Sequence, residues 1–442
     1  MQPTPAPPIA PPTPSDGAAD RVDTLIVGAG IGGLLAAVTA AGAHPGGRIV
    51  VVDPHPPGGR ARCDDRGGFT FNRGPRALYP DSARALRAAG VDTSHVGPPS
   101  LEGAIALVGG STPRFPGRPG DALRTTLFTP RQKLQVTRAL AALWRVRPDG
   151  APGRSVSDWL DDHGLEATVR QFVEALVRVA TYANAPDSFA AGPALANART
   201  GVFPGVRYLD GGWQSLVDQL DAIARSTGVE LTTGQVHQVK PGPATVRVVA
   251  DGRSWEATNV VLAAGGPDAV AALLPERPSS WGPLAPAVTA ACLELGIRGL
   301  PEHRFALGID EPLYGSTHCP PADLAPEGHA VVHLMRYQPV DDDQPASVQR
   351  ERLEQLAAAM GITRDRIVEE RFLARMVVAG TLPHPETGGL AGRPAVAVAE
   401  HPGVFLAGDW VGPTGLLLDA VTASGAEAGR LAAARSATMV PG

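Results

Sequence analysis

Six residues near the start of the chain, Gly28-Ala29-Gly30-Ile31-Gly32-Gly33, and an acid, Asp53, about 20 positions further on have the spacing of a dinucleotide site. Each type has a reason. Gly28 permits a tight turn, Gly30 lets the backbone approach a pyrophosphate, and Gly33 lets a helix pack closely on a strand. Past Ile31 and Gly32 the helix N-terminus offers unpaired N–H groups and a positive dipole end to phosphates. Asp53 is placed to accept both hydroxyls of an adenosine ribose. The elements that must position these groups are legible around them. Thr24-Leu25-Ile26-Val27 reads as a buried parallel strand, Leu34 to Ala41 as a helix rich in alanine and leucine, and Ile49-Val50-Val51-Val52 as a second buried strand ending at the acid.

A second glycine pair follows at once. In Gly58-Gly59-Arg60-Ala61 the glycines suit another close backbone approach to a pyrophosphate, and Arg60 adds charge. Strand-like residues around Phe69-Thr70-Phe71 then lead to the turn Asn72-Arg73-Gly74-Pro75-Arg76. Near the other end, Val404-Phe405-Leu406-Ala407 is a buried strand running into Gly408-Asp409, and beyond Gly412-Pro413-Thr414-Gly415 a helix is expected from Leu416 to Arg435.

These segments together resemble the flavin amine oxidase superfamily, and most nearly its bacterial phytoene desaturase-like branch. The resemblance runs through Gly58 to Ala61, the Gly74-Pro75 turn, Gly211-Gly212 at the head of a helix, the strand Asn259 to Ala264 closing on Gly265-Gly266, and Gly408-Asp409. It implies bound FAD, expected to be noncovalent because no cysteine lies beyond Cys319 for the family's C-terminal cysteinyl attachment. Gly59 and Arg60 would hold the phosphates, Gly74 and Pro75 would lie near the flavin ring, and the backbone at Val236 would meet the adenine. Ala264 and Gly265 would close the site, Asp409 would bond the ribityl chain, and the helix start at Gly415 and Leu416 would face the pyrimidine edge. Ala264 replaces the threonine usual in the family.

The fold expected is α/β: a discontinuous Rossmann-like FAD-binding domain (21–80, 205–282 and 393–437) with a mixed α+β substrate-binding domain (81–204 and 283–392). The first insertion reads as mostly helical, with helices from Pro130 to Arg147 and from Ser157 to Ala183. The second alternates strands (Ala287 to Gly296, Arg304 to Ile309, His329 to Tyr337) with a helix from Ala346 to Met360. Residues 1–20, rich in proline and nearly free of charge, read as a disordered lead-in.

Composition narrows the function. A chain of 442 residues, 43% apolar and 19% charged, has material for two or three packed units. A net charge of −5 offers no field for nucleic acid. Cys63, Cys292 and Cys319 lie far apart and form neither a disulfide framework nor a zinc pattern, so no metal is expected and a reducing cytoplasm is the default location. No apolar run is long enough for an integral membrane segment. Helix 130–147 mixes apolar residues with Arg131, Lys133, Arg138, Arg145 and Arg147. It reads first as an ordinary surface helix with its apolar face on the core, and second as a peripheral membrane contact.

Only Lys133 and Lys240 are lysines, and neither is placed for the lysine that amine oxidases of the family keep near the flavin. The reading favoured is therefore a phytoene desaturase-like dehydrogenase that takes hydrogens from a small apolar, isoprenoid-like substrate by hydride transfer to flavin N5. Oxygen, a quinone or another acceptor would reoxidise it. The alternatives are an amine or other heteroatom oxidase releasing hydrogen peroxide, and a redox-neutral isomerase or FAD-binding partner. Candidate catalytic residues are Arg76, Tyr182, Tyr314 and His318. Three of them have a plain alternative: a phosphate-side or surface arginine for Arg76, core packing for Tyr182, and a structural histidine at a strand end for His318.

Overall fold

The structure, a computed structural model, describes residues 19–439 except Pro75 and Pro204. The expectations for the lead-in up to residue 18 and for Pro75 lie outside the described residues.

Apolar, β-branched runs build the first sheet. Its strands lie in the order Glu230–Thr233, Ile49–Asp53, Asp20–Val27, Arg253–Leu262, Val246–Ala250, Val236–Pro241. The long strand Arg253–Leu262 pairs with Asp20–Val27 on one edge and serves two partners on the other. Its first half pairs antiparallel with Val246–Ala250, and its end pairs parallel with Val404–Leu406. The parallel core is in register at Thr24–Ile49 and Val27–Leu262. Both faces are covered, which is why these strands read as continuous apolar runs. Helices Ile31–Ala43 and Leu417–Met439 pack on one face through Ala36, Ala40, Ala428 and Ala432. The other face buries Trp255, Trp281 and Trp410.

The second sheet has the order Ile367–Ala379, Val288–Arg298, His329–Tyr337, Leu313–Cys319, Phe305–Gly308, Ile105–Leu107. Its pairs are antiparallel except the last, which is parallel. Side chains alternate between its faces. Ala290 and Cys292 meet Phe172 and Leu176 of helix Ala167–Thr181, with helix Pro130–Arg145 alongside. Leu293 and Leu295 meet Leu353 and Leu356 of helix Ala346–Ala359 on the other side.

Two helix expectations need correction. The helix expected over 157–183 is two, Val156–Asp162 and Ala167–Thr181, because Gly164 turns left-handed (φ 55°) between them. The helix from Pro130 stops at Arg145 rather than Arg147, since Arg147 precedes Pro148 and is steered toward extended backbone. At the chain's end the helix starts at Leu417 and runs on to Met439. Among the described residues no helix is long and apolar enough to cross a membrane.

Candidate functional site

A cavity of about 530 Å³ opens at the carboxyl ends of four parallel strands, where Gly28, Asp53, Ala263 and Ala407 stand. That edge is where open α/β sheets bind ligands. The cavity continues from the first sheet to Met335 and Met376 of the second.

At its first end the glycines divide by cause. A Cβ at Gly28 (φ 108°) would sit 2.6 Å from the Ala263 carbonyl oxygen, and one at Gly33 would sit 1.9 Å from that of Gly28. The fold itself demands those two. Gly30 has an ordinary φ of −75°, and a Cβ there would meet nothing within 4 Å, yet Gly30 lines the cavity. No packing within the chain explains it, so the space beside it is a cradle that a Cβ would fill. Gly30 caps helix Ile31–Ala43 without a side-chain bond, leaving first-turn N–H groups free toward the cavity. Gly58 donates its N–H to the Ala29 carbonyl at 2.8 Å and brings Gly59 and Arg60 against the same spot. The Asp53 carboxylate is held by N–H groups of Ala29 and His55, both at 2.8 Å, and it also lines the cavity.

Midway, Arg60 Nη1 donates to Asp409 Oδ2 at 3.0 Å and to the Val378 carbonyl at 3.2 Å. Gly380 N–H reaches the same carboxylate oxygen at 3.1 Å. The attraction of Asp409 holds the Arg60 charge, raising its pKa against the cost of burial. Although 43% of the Arg60 side chain is accessible, Arg60 is enclosed by protein and lines the cavity. Asp409 Oδ1 is buried and has no partner among the described residues. A buried carboxylate oxygen left free at a cavity wall costs free energy unless a ligand donates to it. Arg393, which sequence reading missed, bonds the carbonyls of Asp409, Thr414 and Gly415 and so fixes the turn before helix Leu417–Met439; burial brings its pKa down to about 10.

The far end is an apolar chamber walled by Met335, Met376, Val378 and Leu416 to Leu418, with Tyr79 and Tyr182 beside them. Tyr182 caps helix Ala167–Thr181 in the left-handed region (φ 60°), a strained setting for a tyrosine. Burial pushes its phenol well above the usual range. Arg76 also lines the chamber, yet its side chain is 1% accessible. Its Nη2 lies 2.9 Å from Glu294 Oε1 and donates to Cys292 Sγ at 3.3 Å, while Nη1 bonds the Asn72 carbonyl. Glu294 is shared with Arg371, whose Nε donates to Oε2 at 2.6 Å, and His333 Nδ1 lies 2.7 Å from Oε1. Glu294 was missed; its signal was an acid inside the apolar strand VTAACLELGIR. Asp419 was missed too. It lines the chamber from the first turn of its helix, bonds the Ser82 hydroxyl, and has its pKa raised by burial.

Of the residues named from sequence, Gly28, Gly30, Ile31, Gly32, Asp53, Gly59, Arg60, Gly74, Arg76, Tyr182, Ala264, Gly265, Gly408, Asp409 and Leu416 line this cavity. Gly33 and Gly415 shape it from behind, Gly415 with φ 64°. Three others named from sequence do not line it. Val236 is buried at the start of its strand, off the cavity. Tyr314 hydrogen-bonds Tyr208 at 3.1 Å inside the second layer, and His318 stacks on the Tyr208 ring at 3.7 Å; neither lines the chamber, because Tyr208 stands against both.

Comparison with known proteins agrees with this architecture. Residues 26–89 match a family described as an NAD(P)-binding Rossmann-like domain. An oxidoreductase from Methanosarcina mazei superposes with a TM-score of 0.69 at 18% identity, over 91% of this chain and 99% of its own. Cyclohexylamine oxidase from Brevibacterium oxydans gives 0.68 at 19%, over 94% and 99%. A redesigned variant of putrescine oxidase gives 0.70 at 17%, over 94% and 100%. No curated protein matches the sequence. At these identities the likeness establishes the fold: a mixed α/β chain with a Rossmann-like nucleotide-binding unit.

Proposed function

We propose that the protein is an FAD-dependent oxidoreductase that dehydrogenates a small apolar substrate, with 21–80, 205–282 and 393–437 holding the cofactor and 81–204 and 283–392 the substrate. The observation that carries this reading is the single cavity running from the Gly30 cradle and Asp53, past the Arg60–Asp409 pair, into the apolar chamber. FAD, when bound, supplies a hydride acceptor. The chain's own residues would do the rest. Asp53 would accept the ribose hydroxyls. The N-terminus of helix Ile31–Ala43, with Gly59 and Arg60, would neutralise the pyrophosphate. Asp409 Oδ1 would take the ribityl hydroxyl it lacks a partner for. Leu416 to Leu418 would bring the positive end of the last helix to the flavin ring. None of the three cysteines lines the cavity, in keeping with noncovalent binding.

On the substrate side, Met335, Met376, Val378 and Leu416 would exclude water and align a C–H bond, which is most of what dehydrogenating a hydrocarbon needs. This supports the phytoene desaturase-like reading. A second reading, an amine oxidase, is favoured by the names of two structural neighbours, cyclohexylamine oxidase and putrescine oxidase. Against it, neither lysine lines the cavity; Lys133 Nζ instead bonds the Leu123 carbonyl on the surface. Anaerobic mixing of the purified yellow protein with isoprenoids and with amines separates the two. Loss of the flavin band with isoprenoids alone supports dehydrogenation. Bleaching by amines, with peroxide on readmitting air, overturns it in favour of the oxidase. Bleaching by neither class overturns both.

A further inference from the structure

We propose that helix Pro130–Arg145 and the segments beside it form a docking surface for an anionic lipid bilayer. This goes beyond the reading of the cavity and stands without it. The inner face of the helix is accounted for: Ala139 and Leu143 are buried, and Val136 and Leu140 pack on the core beneath. The outer face is not. Leu134 is 50% accessible and Trp144 59%, on the side away from the core. Leu123, 80% accessible, adjoins one end of the helix, where its carbonyl accepts from Lys133 Nζ at 2.8 Å. Phe203 meets Trp144 edge-on at 4.6 Å at the other end, with Val202 beside it, both exposed. Five of the nine large apolar side chains exposed among the described residues therefore gather on this one ridge.

Charge identifies the occupant. Residues 114–147 carry eight cations and one acid, Asp121, in a chain whose net charge is −5. Arg114 and Arg131 are paired with Asp121 and Glu166, and Arg147 with Asp149. Among the described residues Arg118, Arg124, Lys133, Arg138 and Arg145 have no carboxylate within pairing distance. On the outer face Leu134, Arg138, Ala141, Trp144 and Arg145 alternate apolar and cationic over a helix about 24 Å long. A protein partner's interface core excludes charge from its apolar centre. A bilayer accepts the mixture, because cations stop at the phosphates while leucine and tryptophan tips go deeper.

The test is sedimentation of the full chain, with its cofactor, on phosphatidylcholine vesicles with and without phosphatidylglycerol. Binding to the anionic vesicles that weakens in salt, and little to the neutral ones, is expected. Arg138→Gln with Arg145→Gln should weaken it about thirtyfold, since each cation near an anionic surface is worth about fivefold. Leu134→Ser with Trp144→Ser should abolish it while leaving the flavin band unchanged. Equal binding to both vesicle types, no binding to either, or wild-type binding by both double variants overturns the proposal. So does retention on an acidic protein column without any affinity for vesicles.

Discussion

Gly30 and Asp53 line the same cavity but would fail by different routes. Gly30→Val puts a branched side chain into the cradle where nothing of the protein stands, so the fold should survive and FAD should not bind. Asp53→Ala removes an acceptor; a charged hydrogen bond is worth about 1.5–3 kcal/mol, so affinity should fall about tenfold or more. FAD released into acid supernatant from each purified variant measures both, and full FAD in Gly30→Val would move the site elsewhere. The buried cluster behind the chamber makes a stability prediction. Glu294 balances Arg76 and Arg371, so Glu294→Gln leaves cationic charge uncompensated and should cost about 3–5 kcal/mol in urea unfolding. A loss under 1 kcal/mol would show that the cluster relaxes. The adjoining histidines set a pH dependence. Burial holds His318 well below its usual pKa, with His333 and Arg76 adding to it, and holds His333 low together with Arg76 and Arg371. Folded, they stay neutral; unfolded, each takes a proton near pH 6.5. Stability should therefore fall as pH drops below about 6.5, by up to about 1.4 kcal/mol per unit for each histidine. Urea midpoints between about pH 7.5 and 5.5 should show this slope, and His333→Gln should flatten it; an unchanged slope would count against buried neutral histidines.

Helix Leu417–Met439 lies against helix Ile31–Ala43 through a seam of small residues. A Cβ at Gly425 would stand 2.6 Å from the Gly32 carbonyl oxygen, and one at Gly429 2.3 Å from that of Ala36. Neither contact can open without moving one helix. These two helices present their N-termini to the two ends of the cavity, so their spacing sets how far apart the two positive ends stand. Gly429→Val should cost about 1–3 kcal/mol from overpacking and should also loosen FAD. Thermal melting with FAD content checks both, and a variant with unchanged melting temperature would show that the seam yields. Elsewhere the apolar periodicity placed helices in the right stretches but fixed neither their ends nor their breaks. The break at Gly164 and the stop at Arg145 came from one glycine and one proline, whose effect depends on where the chain must turn next.

Across the whole molecule the cavity is assembled from segments far apart in the chain: residues 28–82, 182–213, 263–266, 335, 376–380 and 407–421. Its nucleotide end uses the Rossmann unit matched over residues 26–89, and among the described residues the second sheet is antiparallel apart from one edge pair, with no strand–glycine–helix unit of its own. Neither NADH nor NADPH should then reduce the bound flavin at a useful rate. Stopped-flow mixing without oxygen or substrate decides it; rapid bleaching by either nucleotide would turn the reading toward a reductase.

What the sequence alone determined lies in short windows. The turn at Gly28, the helix start after Gly30, Asp53 at a strand end, the Gly58-Gly59-Arg60 return and Gly408-Asp409 were all legible, because tight turns, close backbone approach and strand-end acids each demand particular residue types at particular steps. The tertiary structure alone decided the chamber. Met335 read as an ordinary strand residue, Met376 and Val378 lay in no element read from the sequence, and only the meeting of the two sheets makes them a wall. It likewise decided that Tyr314, on the same sheet face as Met335, and His318 are covered by Tyr208 and do not line the chamber, while Arg76 reaches it from a buried ion cluster. A strand fixes which residues share a face, but not which face another layer will cover.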